Sequence, residues 1–253
     1  MSFAAGRELV EPLPGARIVE TARRVRLGDV SPSGRLRLDA AVRYLQDVSD
    51  DDTRDAYVDD AGWVVRRTVL DVHSFPAYGQ MLELRTGCAG LGGRWAERRV
   101  SITGADSRIE ASTLWVHVDP ETGRAVPLTK SFLDLYAPSA GGRTISARLH
   151  IGEPPADARV QPWPVRFTDF DALGHVNNAA AWAAVEEHLS PRRDLRGAIA
   201  ATLEHRHPLE RSDLDGSGAV QCTVDESDAR LAVWLRGVGG KVAVAAEVRR
   251  LSP

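Results

Sequence analysis

Apolar and polar residues alternate along most of this chain, and twice the alternation gives way to a helical spacing. In the first half "WVVRRTVLDVHSF", "MLELRTGCAG", "RWAERRVSITG" and "IEASTLWVHVD" read as strands; in the second half "AIAATLEHRHPL", "GAVQCTVD", "ARLAVWLRG" and "KVAVAAEVRRL" do the same. Each set follows a shorter alternating segment (Arg17 to Leu27, and Val160 to Phe167), a polar turn and a helix. The helices are predicted at Asp39–Asp47 and Asn178–Leu189, where Ala41, Leu45 and Val48, or Ala181, Val185 and Leu189, share one face. Consecutive strands joined by loops as short as "GVGG" predict antiparallel sheets, each covered by one apolar helix. The expected class is α+β.

The two turn–helix segments are copies of one another. Laying "VRLGDVSPSGRLRLDAAVRYLQD" from Val25 on the stretch from Val165 gives a gapless offset of 165 − 25 = 140. It pairs Arg26 with Arg166, Asp29 with Asp169, Gly34 with Gly174, and Ala40 and Ala41 with Ala180 and Ala181. A match running from strand through turn to helix indicates an internal repeat. Glycine, proline and alanine concentrate at residues 137–159, the expected linker between units at 15–136 and 160–253, with residues 1–14 as a loose lead-in.

Composition narrows the function by exclusion. A net charge of −3 over 253 residues offers no general attraction to nucleic acid or anionic membranes. No apolar run approaches the ~20 residues that would span a bilayer, and the first residues lack a secretory pattern, so a cytoplasmic location without membrane insertion is expected. Cys88 and Cys222, at an offset of 222 − 88 = 134, form neither a disulfide framework nor a four-cysteine metal site, and apolar surroundings predict buried thiols. His205 and His207 have the spacing of two ligands on a strand face, but no further ligands accompany them, so no metal is expected. Trp63, Trp95, Trp115 and Trp234 are expected to pack on the sheets.

The chemistry concentrates in "RFTDFDALGHVNN", Arg166 to Asn178. Helix capping explains one Asp and one Asn, but not Asp169, Asp171, His175, Asn177 and Asn178 together. The other unit serves as an internal control: it keeps Asp29 and Gly34 but has Ser31 and Arg35 where the second has Asp171 and His175. The fold therefore needs the shared Asp and Gly, and not the second acid or the imidazole. A carboxylate, an imidazole, a glycine turn and helix-end amides suit attack on an activated carbonyl such as a thioester. Neither a G-x-S-x-G elbow nor a GxxxxGK[ST] loop is present.

These residues resemble the active-site loop of hotdog-fold acyl thioesterases. The arrangement of two units with the intact motif in the second resembles the acyl-ACP thioesterases of plants and bacteria over about residues 17–251. The resemblance implies tandem hotdog domains, each a curled antiparallel sheet around one long helix, and cofactor-free hydrolysis of fatty acyl thioesters. It also implies acyl carrier protein as a partner and is compatible with a homodimer. Carried over by position, Asp171 and His175 are the catalytic pair, with Gly174, Val176, Asn177 and Asn178 at the substrate. The family's catalytic Asn position holds Leu173, and its Glu–Cys pair falls on Pro208 and Leu209, between Glu204 and Glu210. Those departures leave two other readings in play: a hotdog protein that binds acyl groups without cleaving them, and an acyl dehydratase.

Overall fold

The computed structural model describes residues 13–56 and 62–251. All but the last two residues of the expected lead-in lie outside the described residues. Ten strands form a single antiparallel sheet. In chain order they are β1 (Val19–Arg24), β2 (Trp63–Ser74), β3 (Met81–Leu91), β4 (Trp95–Thr103), β5 (Arg108–His117), β6 (Arg159–Pro164), β7 (Ile199–His205), β8 (Ala219–Ser227), β9 (Arg230–Arg236) and β10 (Val242–Arg250). Their order across the sheet is β1-β3-β4-β5-β2-β7-β10-β9-β8-β6. The two five-stranded halves join where β2 and β7 pair antiparallel, from Arg67 opposite Glu204 to Val72 opposite Ile199.

Two long helices, α1 (Leu38–Asp55) and α3 (Asn178–Leu189), pack against each other inside the curl of the sheet. The alanines of α3 allow close approach, and Ala179, Ala184 and Trp182 are fully buried. Pro191 follows one residue after the Ser190 cap, where a helix readily stops. The structure keeps the predicted bounds of α3 but extends α1 eight residues beyond Asp47. That extension, "VSDDDTRD", has little hydrophobic signal, yet Asp52 is buried there. Its carboxylate accepts from Arg17 Nε (2.8 Å), Arg98 (2.5 Å) and the Tyr136 hydroxyl (3.0 Å), so ion pairing supplies the burial that apolar periodicity would have signalled.

The expected linker also needs correction. A helix, α2 (Lys130–Ala140), occupies its first four positions, capped by the Thr129 side chain and ended by Gly141 at φ 57°. Phe132 and Tyr136 turn its buried face toward Cys88 and Ala96. From Gly141 the chain crosses the sheet face opposite α1 and α3. The Ile145 carbonyl accepts from Trp95 Nε1 (2.9 Å) and the Gly152 carbonyl from Trp234 Nε1 (2.9 Å).

Between those anchors, the fully buried Glu204 accepts from the amides of His150 (2.5 Å) and Ile151 (3.2 and 3.3 Å). Glu204 is thus a structural clamp on the crossing segment. Glu204→Ala should remove the acceptor shared by the His150 and Ile151 amides, costing roughly 1–3 kcal/mol. For a chain of this size that is a fall of roughly 2–12 °C in melting temperature, measurable by calorimetry, with turnover at 25 °C within a few-fold of wild type.

Candidate functional site

The dense loop is built from a turn that both halves share. In the second half Asp171 N donates to the His175 carbonyl (2.9 Å) and Gly174 N to the Asp171 carbonyl (3.0 Å). In the first half Ser31 N donates to the Arg35 carbonyl (2.8 Å) and Gly34 N to the Ser31 carbonyl (2.8 Å). Gly174 and Gly34 have φ of 79° and 82°, the left-handed conformation that only glycine adopts without strain. A Cβ at Gly174 would meet nothing within 4 Å, so it is the turn, rather than close approach of a neighbour, that requires glycine. Asp169 and Asp29 likewise match. Each accepts from the amide three residues earlier, Arg166 (2.8 Å) or Arg26 (2.9 Å).

What differs is the chemistry hung on the turn. Asp171 accepts through Oδ1 from the amides of Leu173 (2.9 Å) and His175 (3.3 Å), leaving Oδ2 without a partner among the described residues. His175 pairs with Glu210 as neighbouring backbone, and its Nε2 lies 3.4 Å from Glu210 Oε1. Glu210, two positions beyond Pro208, therefore brings a carboxylate to the imidazole that Glu204, held in the clamp, does not. Leu173 projects outward, 74% exposed. Val176 packs against the core. Asn177 caps α3, its Oδ1 accepting from Ala179 N (2.9 Å), and Asn178 opens the helix.

Asn177 also lines a cavity of about 470 Å³ that otherwise belongs entirely to the first half. Gln46, Ser49, Asp50 and Thr53 of α1 form one wall. Trp63, Trp115 and Ala96 of the sheet, with Phe132 and Tyr136 of α2, form an apolar one. Trp63 packs on Phe132 (ring centres 4.8 Å apart) and Phe132 on Tyr136 (4.7 Å). Of the four tryptophans expected in the sheets, Trp63 and Trp115 line this space, while Trp95 and Trp234 hold the crossing segment. The α2 contribution was hidden in a stretch taken for the end of a unit and a linker, although Phe132 and Tyr136 are spaced four apart.

The cysteines are neither nucleophiles nor counterparts. Burial pushes the Cys88 thiol up to about 11 and the Cys222 thiol up to about 12, so both are protonated near neutrality. Strand pairing sets Met81 opposite Arg24 and Ala219 opposite Pro164, an offset of 219 − 81 = 138. Cys88 therefore corresponds to Glu226 rather than Cys222. His205 has its Nε2 shielded without a partner, and burial pushes the ring down to about 4. Among the described residues no three His, Cys, Asp or Glu side chains converge to hold a metal, and no helix is long and apolar enough to cross a membrane.

The sequence and the fold both have parallels among known proteins. The sequence profile of the acyl-ACP thioesterase N-terminal domain matches residues 18–136, and that of the C-terminal domain matches residues 152–228. An uncharacterised Mycobacterium tuberculosis protein is 30% identical over 208 residues, covering 81% of this chain and 83% of its own. The chloroplastic oleoyl-acyl carrier protein thioesterase of Coriandrum sativum is 26% identical over 205 residues, covering 74% of this chain and 54% of its own. The fold is that of the 12:0-ACP thioesterase from Umbellularia californica, with a TM-score of 0.75 and 18% identity over 92% of this chain and 96% of that one. Two matched domains in tandem, spanning most of the residues, establish that the chain belongs to the acyl-ACP thioesterase family, the thioester hydrolases built from paired hotdog domains.

Proposed function

We propose that this protein hydrolyses fatty acyl thioesters carried on acyl carrier protein, with Asp171, His175 and Glu210 as the reacting groups. One observation carries the reading: the cavity of the first half, with one aromatic wall, is also lined by Asn177, the cap of the helix that follows the Asp171–His175 loop. An acyl chain lying along Trp63, Trp115 and Phe132 would place its thioester carbonyl at the N-terminus of α3. There the helix-end amides and dipole favour the developing negative oxygen.

Asp171 Oδ2 either attacks the carbonyl carbon or takes a proton from water that does. Water oxygen ends bonded to carbon, the carbon–sulfur bond breaks with its electrons on sulfur, and the thiolate takes up a proton. His175, held by Glu210, is placed to pass that proton. Glu210 takes the place of the family's Glu from two positions further along, while nothing replaces the Asn at Leu173. One exposed cation beside the loop supports an acidic carrier. Arg211 lies 4.7 Å over the Phe170 ring and 5.6 Å over Phe167, which is 79% exposed. With Leu173 these form a cationic and apolar patch beside the loop.

Two measurements test this. Thiol release from dodecanoyl thioesters should fall by roughly a hundredfold or more in kcat for Asp171→Asn with little change in KM, and by less for His175→Ala or Glu210→Gln. Hydration of crotonyl-CoA should be absent; its presence would point to a dehydratase, and binding without thiol release to a carrier of acyl groups. Separately, kcat/KM should favour the acyl carrier protein substrate over acyl-CoA at low ionic strength, shrink with added salt, and lose its salt dependence in Arg211→Glu. Equal values for the two carriers at every salt concentration would remove the electrostatic argument.

A further inference from the structure

The two halves treat the N-termini of their central helices differently, and the difference isolates one more residue. In the first half the amide of Leu38, the first residue of α1, donates to Glu186 Oε2 at 3.0 Å. Glu186 belongs to α3, is buried, and is gripped by Arg35, whose guanidinium donates to Oε1 (2.7 Å) and Oε2 (3.3 Å). A carboxylate from the neighbouring helix therefore fills the position at which, in the other half, a substrate oxygen would meet the helix end.

The offset of 140 carries this arrangement onto the second half. Leu38 corresponds to Asn178, Arg35 to His175, and Glu186 to 186 − 140 = 46, which is Gln46. Gln46 lines the same cavity as Asn177, the cap of α3, as this correspondence requires. It makes no hydrogen bond with any described residue, and the Asn178 amide likewise has no acceptor among them. Glutamine suits this position where glutamate would not. Its carboxamide nitrogen donates hydrogen bonds, whereas a carboxylate would occupy the helix end itself and repel a developing oxyanion.

We propose that Gln46 is a catalytic residue, donating from its side-chain NH2 to the acyl carbonyl oxygen while the N-terminal amides of α3 donate from the other side. The oxyanion site is thus assembled across the two halves, and the first half's equivalent is closed by Glu186. Gln46 exchanges no proton; it stabilises the oxygen as water adds to carbon and the thiolate departs. This rests on the hydrolytic reading above.

The test combines turnover with product binding in the full chain, using dodecanoyl-CoA and dodecanoate. Gln46→Ala should lower kcat by roughly a hundredfold, the scale of one lost oxyanion donor, with KM within about threefold. Gln46→Glu should lower kcat further and weaken dodecanoate binding at least about tenfold near neutral pH, because its carboxylate competes for the same amides. Circular dichroism and melting temperature establish that both variants are folded; a variant that unfolds is replaced by Gln46→Met, for which the Ala result is expected. If Asp171→Asn abolishes turnover while Gln46→Ala and Gln46→Glu keep kcat within about threefold, this inference fails and the hydrolytic reading stands. If wild type releases no thiol, the hydrolytic reading fails, and dodecanoate affinity alone decides: equal binding by wild type and Gln46→Glu overturns the role of Gln46.

Discussion

The antiparallel pairing of β2 with β7 is the constraint on which the rest of this molecule depends. It fuses two curled half-sheets into one, with Arg67 opposite Glu204 and Val72 opposite Ile199. Because antiparallel pairing relates two similar strands by a two-fold rotation, it sets the repeated units around a pseudo-dyad. The two central helices then pack side by side, with the N-terminus of α1 against the body of α3. The contact from Glu186 to the first amide of α1 is the direct result. A cavity lined by both α1 and the cap of α3 is another.

That geometry allows the two copies of one turn to diverge in use. Both retain the Asp that accepts from the amide three residues back, and both retain the left-handed Gly. The first copy has become structure. Arg35 stacks 4.5 Å over Phe75 and fixes Glu186, and a buried ion pair of this kind is costly to break because it leaves one charge alone. The second copy keeps an acid with one uncommitted oxygen and a histidine beside Glu210. The cavity is divided the other way, since the half without that acid and histidine supplies nearly all of its lining.

Buried acids elsewhere do structural work. Asp52 gathers Arg17, Arg98 and Tyr136, and desolvation there raises the Tyr136 hydroxyl above its ordinary range. Glu204 ties the segment between the halves to the outer face of the sheet. Each carboxylate offsets its desolvation with several charged or backbone donors. Burial alone would have marked either as a candidate for catalysis; their partners show that their hydrogen-bonding capacity is already used.

The sequence by itself determined the class of the fold, the repeat, the bounds of α3 and the loop around Asp171 and His175. Those features are local: alternation, helical spacing and a turn chemistry that depends on Asp and Gly a few residues apart. It also exposed the asymmetry between Ser31 or Arg35 and Asp171 or His175, because one copy served as the control for the other. Tertiary structure alone decided which glutamate stands beside the histidine. Glu204 and Glu210 are six residues apart in one strand region, but one points into the outer-face clamp and the other toward the loop, a matter of strand register and face. Only the packed structure could show the last two turns of α1, where ion pairs replace apolar burial, and the cavity behind Asn177. Gln46 and Asn177 are separated by more than half of the chain, and no periodicity encodes that they line one cavity; it follows from the pairing of the two halves about their common seam.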